Sequence, residues 1–433
     1  MCCATTARCS LTLIDMRDGD TADSLALNGD YNASGNARLG VDVDGTMSDT
    51  LIIRGAATGS TQVLVDGLDG TFVNTVVVNT QDGTAAGAFL FDGRTIGLTD
   101  YELSFRDGSD NFVLVGSPND TAAGLGNVLF GSRELFYRGN DAVSSYVESG
   151  RGWIGTERQP GISRAIWGQA YGMGQERDFD LVEGSFNGQT RRFNIDSQQD
   201  FFGLQIGADL FGGPGAAFGV TGGYANSKLK LNASPTRFDL SSWNVGVYAK
   251  LDFGGAFVNA LVKYEDMDID IESSLNSSSI DSGADGWGGF VEAGFRFGGG
   301  GFFIEPLASI EYANLDGDDF DFGPSSVLLD SDDGLRGKAG VRFGTMIAET
   351  PTMVTAYGKL QAIHEFNGKD RVTISNLGGD FVFDNPRPDT YGRGTLGISG
   401  VMTSGVTGFI EGTVDFLNGY EGGGGRAGLS FRF

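Results

Sequence analysis

The last eight residues, Arg426-Ala427-Gly428-Leu429-Ser430-Phe431-Arg432-Phe433, alternate between polar or small side chains and apolar ones. Successive side chains of a β-strand point to opposite faces of its sheet, so this period of two predicts a strand with one apolar face. The alternation recurs in twelve segments, and an even number suits a closed antiparallel sheet that begins and ends at one rim. The predicted strands begin near residues 163, 199, 216, 238, 255, 285, 301, 335, 352, 390, 405 and 425.

Three features of these segments favour a barrel that spans a membrane over a soluble barrel. One face is apolar with aromatic side chains near its ends, whereas the other carries charges along its length. A soluble barrel would enclose the apolar face. The segments are about ten residues long, which suits a tilted strand in a bilayer. Tight turns at 253–255, 298–301 and 350–351 alternate with long acidic connections at 267–286, 315–334 and 366–388. No run of eighteen apolar residues exists, so any membrane crossing must use these strands.

Residues 132–148 are the one stretch in which a helix is favoured. Ser132 is a candidate N-cap, Glu134 is an acid in the first turn, and apolar residues follow at spacings of three and four. The lumen of a twelve-stranded barrel is too wide for side chains alone to fill and too narrow for a folded domain. We therefore expect this helix to plug the barrel that follows it.

The predicted inward face carries both small and charged residues. Glycine makes up 71 of the 433 residues, and inward glycines leave room for twist and for a lumen occupant. These glycines are Gly203, Gly207, Gly219, Gly223, Gly294 and Gly340. We expect the inward charges to solvate the lumen and to hold the plug rather than to catalyse a reaction. They are Asp209, Lys250, Glu292, Arg296, Arg336, Lys338 and Arg342.

The first 120 residues have a different pattern, with short β runs separated by Asp-Gly and Asn-Gly turns. The string D-G-x-x-x-D-x-L occurs at 18–25 and again at 44–51, an offset that suits one rung of a β-solenoid. Asp42 and Asp44 leave two interpretations open. They are either calcium ligands or solvated turn residues, and the further ligands of an EF-hand loop are absent.

The composition argues against several functional classes. A net charge of −26 repels nucleic acid. The three cysteines all lie within the first nine residues, so they predict neither a disulfide framework nor a zinc site. The single histidine, His364, leaves no second ligand for a histidine-rich metal site. Residues 392–397 match G-x-G-x-x-G, but they lie in an alternating strand and open no helix. We expect no enzyme, no metal and no cofactor.

Several stretches together resemble the C-terminal part of an autotransporter, the family of type V secretion. Residues 27–31, 39–45 and 48–55 are similar to the passenger-end repeat of that family. The stretches 86–89, 100–103 and 110–114 resemble its pertactin-like stem. The terminal Leu429, Phe431 and Phe433 resemble the signal that the barrel assembly machinery reads.

The resemblance implies an all-β protein of three parts. Residues 1–118 are expected to form a passenger end folded as a short right-handed β-solenoid, 119–161 a linker and lumen helix, and 162–433 the barrel. The barrel lies in the outer membrane, with the N-terminal region at the cell surface, and it exports and anchors its own passenger. The implied partners are outer-membrane lipid, the barrel assembly machinery, periplasmic chaperones and the passenger. Nucleic acid is not a partner, and a monomer is expected.

Three alternatives stay open at this stage. The acidic β region is either a passenger stub or an adhesin-like surface binding module that the barrel only anchors. Asn140 and Asp141 are either a site of self-cleavage by asparagine cyclisation, as in some members of the family, or a plain polar pair in a helix. Residues 1–10 fail as a secretory signal, because Arg8 and Cys9 interrupt them. We expect a truncated or wrongly assigned start, the alternative being a leaderless cytosolic protein.

Overall fold

The computed structural model describes residues 12–433 apart from 46, 82, 150–163, 179–180, 187–188, 214, 300, 332, 350–351, 368, 403–404 and 418. Its N-terminal part, here called the stem, is built from short strands stacked side by side. They are β1 (Leu13–Asp15), β2 (Ser24–Leu27), β3 (Tyr31–Asn32), β4 (Ala37–Asp44), β5 (Met47–Ser48), β6 (Thr50–Ile53), β7 (Ala57–Thr58), β8 (Thr61–Asp66), β9 (Val73–Asn79), β10 (Phe89–Leu90), β11 (Arg94–Ile96), β12 (Thr99–Arg106) and β13 (Asn111–Pro118).

From β1 to β10 the stem strands pair in parallel, as the rungs of a solenoid do, except for the antiparallel pair β4–β5. One sheet has the order β1-β4-β8-β10, and the other runs through β2, β6 and β9 before the antiparallel strands β13, β12 and β11. Ser24 is in register with Thr50, which is the same 26-residue offset as in the sequence repeat. An apolar core that includes Leu39, Ile53 and Phe112 lies within the stem. The right-handed path stays a prediction.

Two helices follow the stem. Asn119 caps α1 (Asp120–Gly124), its side-chain oxygen accepting a 3.1 Å bond from the amide of Ala122. The second helix, α2 (Asn127–Ser149), is buried on all sides. The predicted N-cap at Ser132 is wrong, because α2 begins five residues earlier and Ser132 is buried inside it. No helix among the described residues is long and apolar enough to cross a membrane.

The remaining strands run to the C-terminus. They are β14 (Ala165–Arg177), β15 (Val182–Phe186), β16 (Gln189–Phe193), β17 (Ser197–Gly213), β18 (Ala216–Leu231), β19 (Thr236–Phe253), β20 (Ala256–Ser273), β21 (Ile280–Phe295), β22 (Phe297–Gly299), β23 (Phe302–Gly317), β24 (Phe320–Phe322), β25 (Ser325–Ser331), β26 (Gly334–Ala348), β27 (Thr352–Glu365), β28 (Lys369–Asn376), β29 (Gly379–Pro386), β30 (Thr390–Met402), β31 (Val406–Phe416) and β32 (Tyr420–Arg432).

Twelve long strands in the described part of the chain close into an antiparallel barrel. The ring runs β14-β17-β18-β19-β20-β21-β23-β26-β27-β30-β31-β32 and returns to β14, with β22 continuing β21. The predicted twelve-stranded barrel is thus confirmed. The largest errors are at β21 and β32, which begin five residues before the predicted positions 285 and 425. Connections at one rim are short, and the C-terminus lies there. The resemblance implies that this rim faces the periplasm; the opposite rim, with the long connections, is here called the outer rim.

The strands are longer than predicted because the two faces exchange polarity above the membrane. Along β20 the inward side chains change from Lys263 to the buried Ile271, while the outward ones change from the exposed Val262 to Asp268 and Asp270. Polar and apolar side chains therefore still alternate in this part of the strand, but the apolar ones now point inward and the polar ones outward. The predicted long connection at 267–286 is wrong, since β20 and β21 fill all of it but residues 274–279.

The other two predicted long connections are folded. Strands β24, β25, β28 and β29 form a four-stranded antiparallel sheet at the outer rim, here called the outer sheet, beside the hairpin β15–β16. Its inner face packs on a cluster of buried apolar side chains at the mouth of the barrel. Members of this outer cluster include Leu129, Leu231, Phe238, Ile271, Phe322, Ile374 and Phe383. The barrel mouth is therefore filled by apolar side chains and covered by its own loops.

Candidate functional site

The lumen of the barrel holds helix α2, and charged pairs join the two along most of the helix. Near the outer rim, the Glu134 carboxylate pairs with Arg336 of β26 and accepts a 3.0 Å bond from Arg138 one helical turn on. The Tyr420 hydroxyl donates a 2.9 Å bond to the same carboxylate. Arg336 also pairs with Glu365 of β27. All five side chains are buried, so the charges face each other with little water between them.

Halfway down the helix, Asp141 is the centre of a second group. Its two carboxylate oxygens accept bonds of 2.7 Å each from Lys338 of β26 and Arg393 of β30. Lys338 lies 2.9 Å from Glu311, and Arg393 lies 2.6 Å from Asp415. The helix is thereby tied to two separate parts of the barrel wall at one level.

Near the end of the helix, Glu148 forms a third group. Lys359 of β27 donates to both carboxylate oxygens, at 3.0 and 3.1 Å. The Arg342 guanidinium lies 3.9 Å from Glu148 and 3.0 Å from Glu305. Glu134, Asp141 and Glu148 are seven residues apart, which places them on one face of α2.

Tyr146 fixes the opposite side of the helix end to the wall. Its ring stacks on Trp167 with centroids 4.3 Å apart, and its hydroxyl donates a 3.0 Å bond to Asp209. Lys250 lies 2.7 Å from that carboxylate, and the Tyr248 hydroxyl donates to it at 2.6 Å. Aromatic stacking and hydrogen bonding thus both hold the Tyr146 side chain against the barrel wall.

The predicted lumen charges are distributed as follows. Asp209, Lys250, Arg336 and Lys338 contact the helix directly, and Arg342 approaches it at Glu148. Glu292 accepts a 2.9 Å bond from Asn259, and Arg296 lies 3.2 Å from Glu305, so the bonds described for these two lie within the wall. Sequence reasoning missed Lys359 and Arg393, although both occupy inward positions of alternating strands. It named Glu134 and Asp141 in other roles and did not single out Glu148; the seven-residue spacing of the three acids could have revealed their common face.

Glycine in the middle of α2 has a specific neighbour. The Lys263 ammonium of β20 donates a 2.7 Å bond to the Phe136 carbonyl and lies over the Phe136 ring. A Cβ atom on Gly139 would lie 2.6 Å from that ammonium. Gly139 therefore opens the helix surface to a buried cation from the wall.

The inward glycines of the barrel receive aromatic side chains of neighbouring strands. A Cβ atom at Gly207 would lie 2.5 Å from the Trp167 ring, and those at Gly203 and Gly219 would collide with Tyr171 and Tyr248. The expectation that these glycines leave room for the plug needs correction at these positions. The space beside these glycines is filled by aromatic side chains of the barrel wall. Two of them, Trp167 and Tyr248, pack against the Tyr146 ring.

Asn140 and Asp141 both lie inside the lumen. Among the described residues, neither side-chain atom of the buried Asn140 amide has a hydrogen-bond partner. Cyclisation would require this amide nitrogen to attack the carbonyl carbon of Asn140 and to release the amine of Asp141. The Asp141 carboxylate is held by Lys338 and Arg393.

The barrel closes between its first and last strands. Phe433 donates its amide to the Arg164 carbonyl at 2.9 Å, and β14 and β32 pair along their full lengths. Leu429, Phe431 and Phe433 are all exposed on the outside of the barrel. Their side chains are accessible to lipid or to another protein within the membrane.

The stem aspartates serve the stem's own backbone. One carboxylate oxygen of Asp42 accepts two 2.7 Å bonds, from the amides of Asp18 and Gly19, and Asp49 accepts a 2.8 Å bond from the amide of Asp42. Asp42 is buried, so its description as a solvated turn residue is wrong. No cluster of three or more potential metal ligands is found among the described residues.

Similarities to known proteins concern mainly the barrel. A family model described as "Autotransporter beta-domain" matches residues 166–413. The uncharacterized protein YdeU of Escherichia coli is 26% identical over 355 residues, covering 69% of this chain and 73% of that protein. The transport unit of the autotransporter AIDA-I from Escherichia coli has a TM-score of 0.52 at 15% identity, covering 68% of this chain and 99% of that one. The translocator domain of the autotransporter NalP from Neisseria meningitidis has a TM-score of 0.55 at 15% identity, covering 72% and 99%.

Proposed function

The chain belongs to the autotransporter family, and its barrel is an outer-membrane translocator; we propose that it exports the N-terminal region of its own chain and then holds that region at the cell surface. The observation that carries this proposal is the path of the chain. From the stem, which packs on the outer sheet, the chain enters the barrel mouth at Asn127 and follows the lumen to Ser149. A chain that had crossed the barrel from the periplasm would follow this path.

Folding of the stem supplies a direction for export. Each rung buries apolar side chains against the previous one, so folding outside the membrane opposes return of the chain. The stem strands nearest the pore would fold first and serve as a template for later rungs. The acidic side chains slow collapse in the periplasm through self-repulsion.

The remaining partners are proposed from the barrel surface. Leu429, Phe431 and Phe433 present alternate apolar side chains on the lipid side of the last strand, as expected of a signal for the barrel assembly machinery. Periplasmic chaperones would hold the chain before assembly. We propose that the barrel works as a monomer, since the helix occupies its own lumen.

We propose that the chain is not an enzyme. Inward charges that could serve as acids or bases, such as Arg336, Lys338 and Arg393, are engaged in ion pairs with the helix or with each other. In the stem, the carboxylates of Asp42 and Asp49 accept backbone amides, which favours a structural role over ligand binding. We propose that Asp141 keeps the helix in place through Lys338 and Arg393, that Asn140 beside it is a plain polar residue of the helix, and that the passenger is left attached.

Surface exposure of the stem tests the proposal. The chain is expressed with a secretory signal and an epitope tag placed before residue 12. We expect antibody to bind the tag on intact cells, and external protease to remove it while the barrel stays protected. A periplasmic protein marker controls for leaky cells. Tag that becomes accessible only after the outer membrane is broken would contradict export.

A further inference from the structure

Three buried side chains join helix α2 to the outer sheet. One guanidinium nitrogen of Arg133 lies 3.0 Å from each carboxylate oxygen of Asp370 in β28. Arg387, which follows β29, donates to the same carboxylate at 2.8 and 3.3 Å. The side chains of Arg133 and Asp370 are 2% and 1% exposed, and that of Arg387 is 1% exposed. One carboxylate thus receives cations from the helix and from the outer loop.

Arg387 also binds the two long outer connections to each other. Its guanidinium donates to the carbonyls of Asn367 and Lys369, at 3.1 and 3.3 Å, within its own connection. It donates to the Asp333 carbonyl, at 3.3 Å, in the preceding one. Arg387 therefore holds Asp370 in place by binding both connections, and each connection is fixed at its ends by two strands of the barrel.

A second buried arginine reinforces the contact at the start of the helix. Arg177, at the outer end of β14, donates to the Asn127 side chain and to the Pro386 carbonyl. Pro386 adjoins Arg387, so the outer connection between β27 and β30 is linked to the helix directly at Arg133 and, through Arg177, at Asn127. Both lie above the Asp141 and Glu148 groups on the side from which the stem emerges.

The position of this contact suggests what it does. The stem is joined to α2 through residues 119–126, so a pull on the stem acts outward along the helix. Outward movement of α2 would take the buried Arg133 guanidinium away from the Asp370 carboxylate, which is strongly unfavourable. We propose that Arg133, Asp370 and Arg387 form a latch that locks the plug helix to the outer sheet and keeps the pore closed. The inference rests on the proposed function, because only an anchored stem transmits such a pull.

Ion current through the full chain in planar lipid bilayers tests the latch. We expect wild-type protein to stay almost closed, and Asp370→Asn to spend at least tenfold more time open. Arg133→Gln keeps the Asp370–Arg387 pair and so preserves the outer sheet; its open time must rise as well. The matched control is Asp384→Asn, which breaks exposed pairs with Lys369 and Arg371 in the same hairpin and should behave as wild type.

The results of these measurements distinguish a failure of the latch proposal from a failure of the proposed export function. Inserted Asp370→Asn and Arg133→Gln proteins with wild-type closure would overturn the latch, even if the stem is displayed on cells. Should Asp370→Asn fail to insert, the current of Arg133→Gln decides alone. Absence of the stem from the surface in wild type would instead contradict export, whatever the currents are. Equal leakage of the Asp384→Asn control would overturn the latch, because general loosening of the hairpin would then explain the current.

Discussion

Asp141 of the plug helix lies 2.7 Å from Lys338 of β26 and forms the middle contact of a series of ion pairs. The helix and β26 both run from the outer rim to the periplasmic rim. Fourteen residues of helix separate Glu134 from Glu148, a rise of about 21 Å. Six residues of strand separate Arg336 from Arg342, a length of about 20 Å. The two lengths are similar, and the three helix acids meet three cations of one strand in the same order.

Neutralising the middle acid should loosen the helix. Asp141→Asn removes the carboxylate that the buried Lys338 and Arg393 share, although each cation keeps a second acid. We expect a loss of about 1.5–3 kcal/mol in unfolding free energy. Urea unfolding followed by heat-modifiability on gels measures this. The exposed pair variant Asp384→Asn should cost at most about 1 kcal/mol. Equal effects of the two variants would show that burial of the Asp141 pairs is not important.

Gly139→Ala should destabilise the protein although alanine is the better helix former. In an exposed helix the change would stabilise by about 1 kcal/mol. Here the added Cβ would lie 2.6 Å from the Lys263 ammonium, displacing it from the Phe136 carbonyl. An unsatisfied buried group costs about 1–3 kcal/mol, so after the helix gain of about 1 kcal/mol we expect a net loss of up to about 2 kcal/mol. A Gly139→Ala protein more stable than wild type would show that the contact between Lys263 and the Phe136 carbonyl does not contribute to the free energy of unfolding.

The outer sheet should loosen in acid. Burial alone would raise the pKa of the Asp370 carboxyl, but Arg133 and Arg387 hold that pKa below its ordinary value. A carboxyl whose pKa is lower folded than unfolded stabilises the fold above the unfolded pKa, near 3.9. That contribution is lost as pH falls through the folded pKa. Protease sensitivity of the outer sheet should rise steeply there in wild type. Asp370→Asn should lack this step, and the same step in both proteins would contradict the assignment.

Removal of the stem core should impair display without affecting the barrel. Deleting residues 60–115 takes away β8 to β12 and most of β13, so the emerging chain loses the part of its folding template nearest the barrel. We expect less fused reporter on the cell surface, measured by antibody binding to intact cells, with unchanged amounts of inserted barrel. Undiminished display would contradict a role for stem folding in export.

The barrel was predictable from the sequence where one face meets lipid. Within the bilayer, apolar outward and polar inward residues give an unbroken period of two, and the strand starts follow from it. Above the bilayer, Ile271 points inward and Asp270 outward, so the same period of two continues with inverted polarity, a pattern for which the sequence alone predicts a loop. The outer sheet was missed for this reason. The helix start was missed because Val128 and Leu129 contact the outer cluster, which exists only after the barrel has folded.

The lumen contacts were predictable only in part. Alternation identifies inward charges such as Arg336 and Lys338, but it does not specify which acid each one meets. The pairing of each cation with an acid depends on the position of the helix along the barrel axis. Glu134, Asp141 and Glu148 carry the needed signal in their seven-residue spacing, which becomes meaningful once α2 and β26 are known to run in the same direction.

The most direct test of the account is the ion current through the barrel with and without its helix. Full-length protein and a variant lacking residues 120–149 are compared in the same planar bilayers, after both are shown to have inserted. We predict a closed pore for the full chain and a sustained open conductance for the deletion. Equal conductance in the two proteins would contradict the central claim that the helix plugs the translocator.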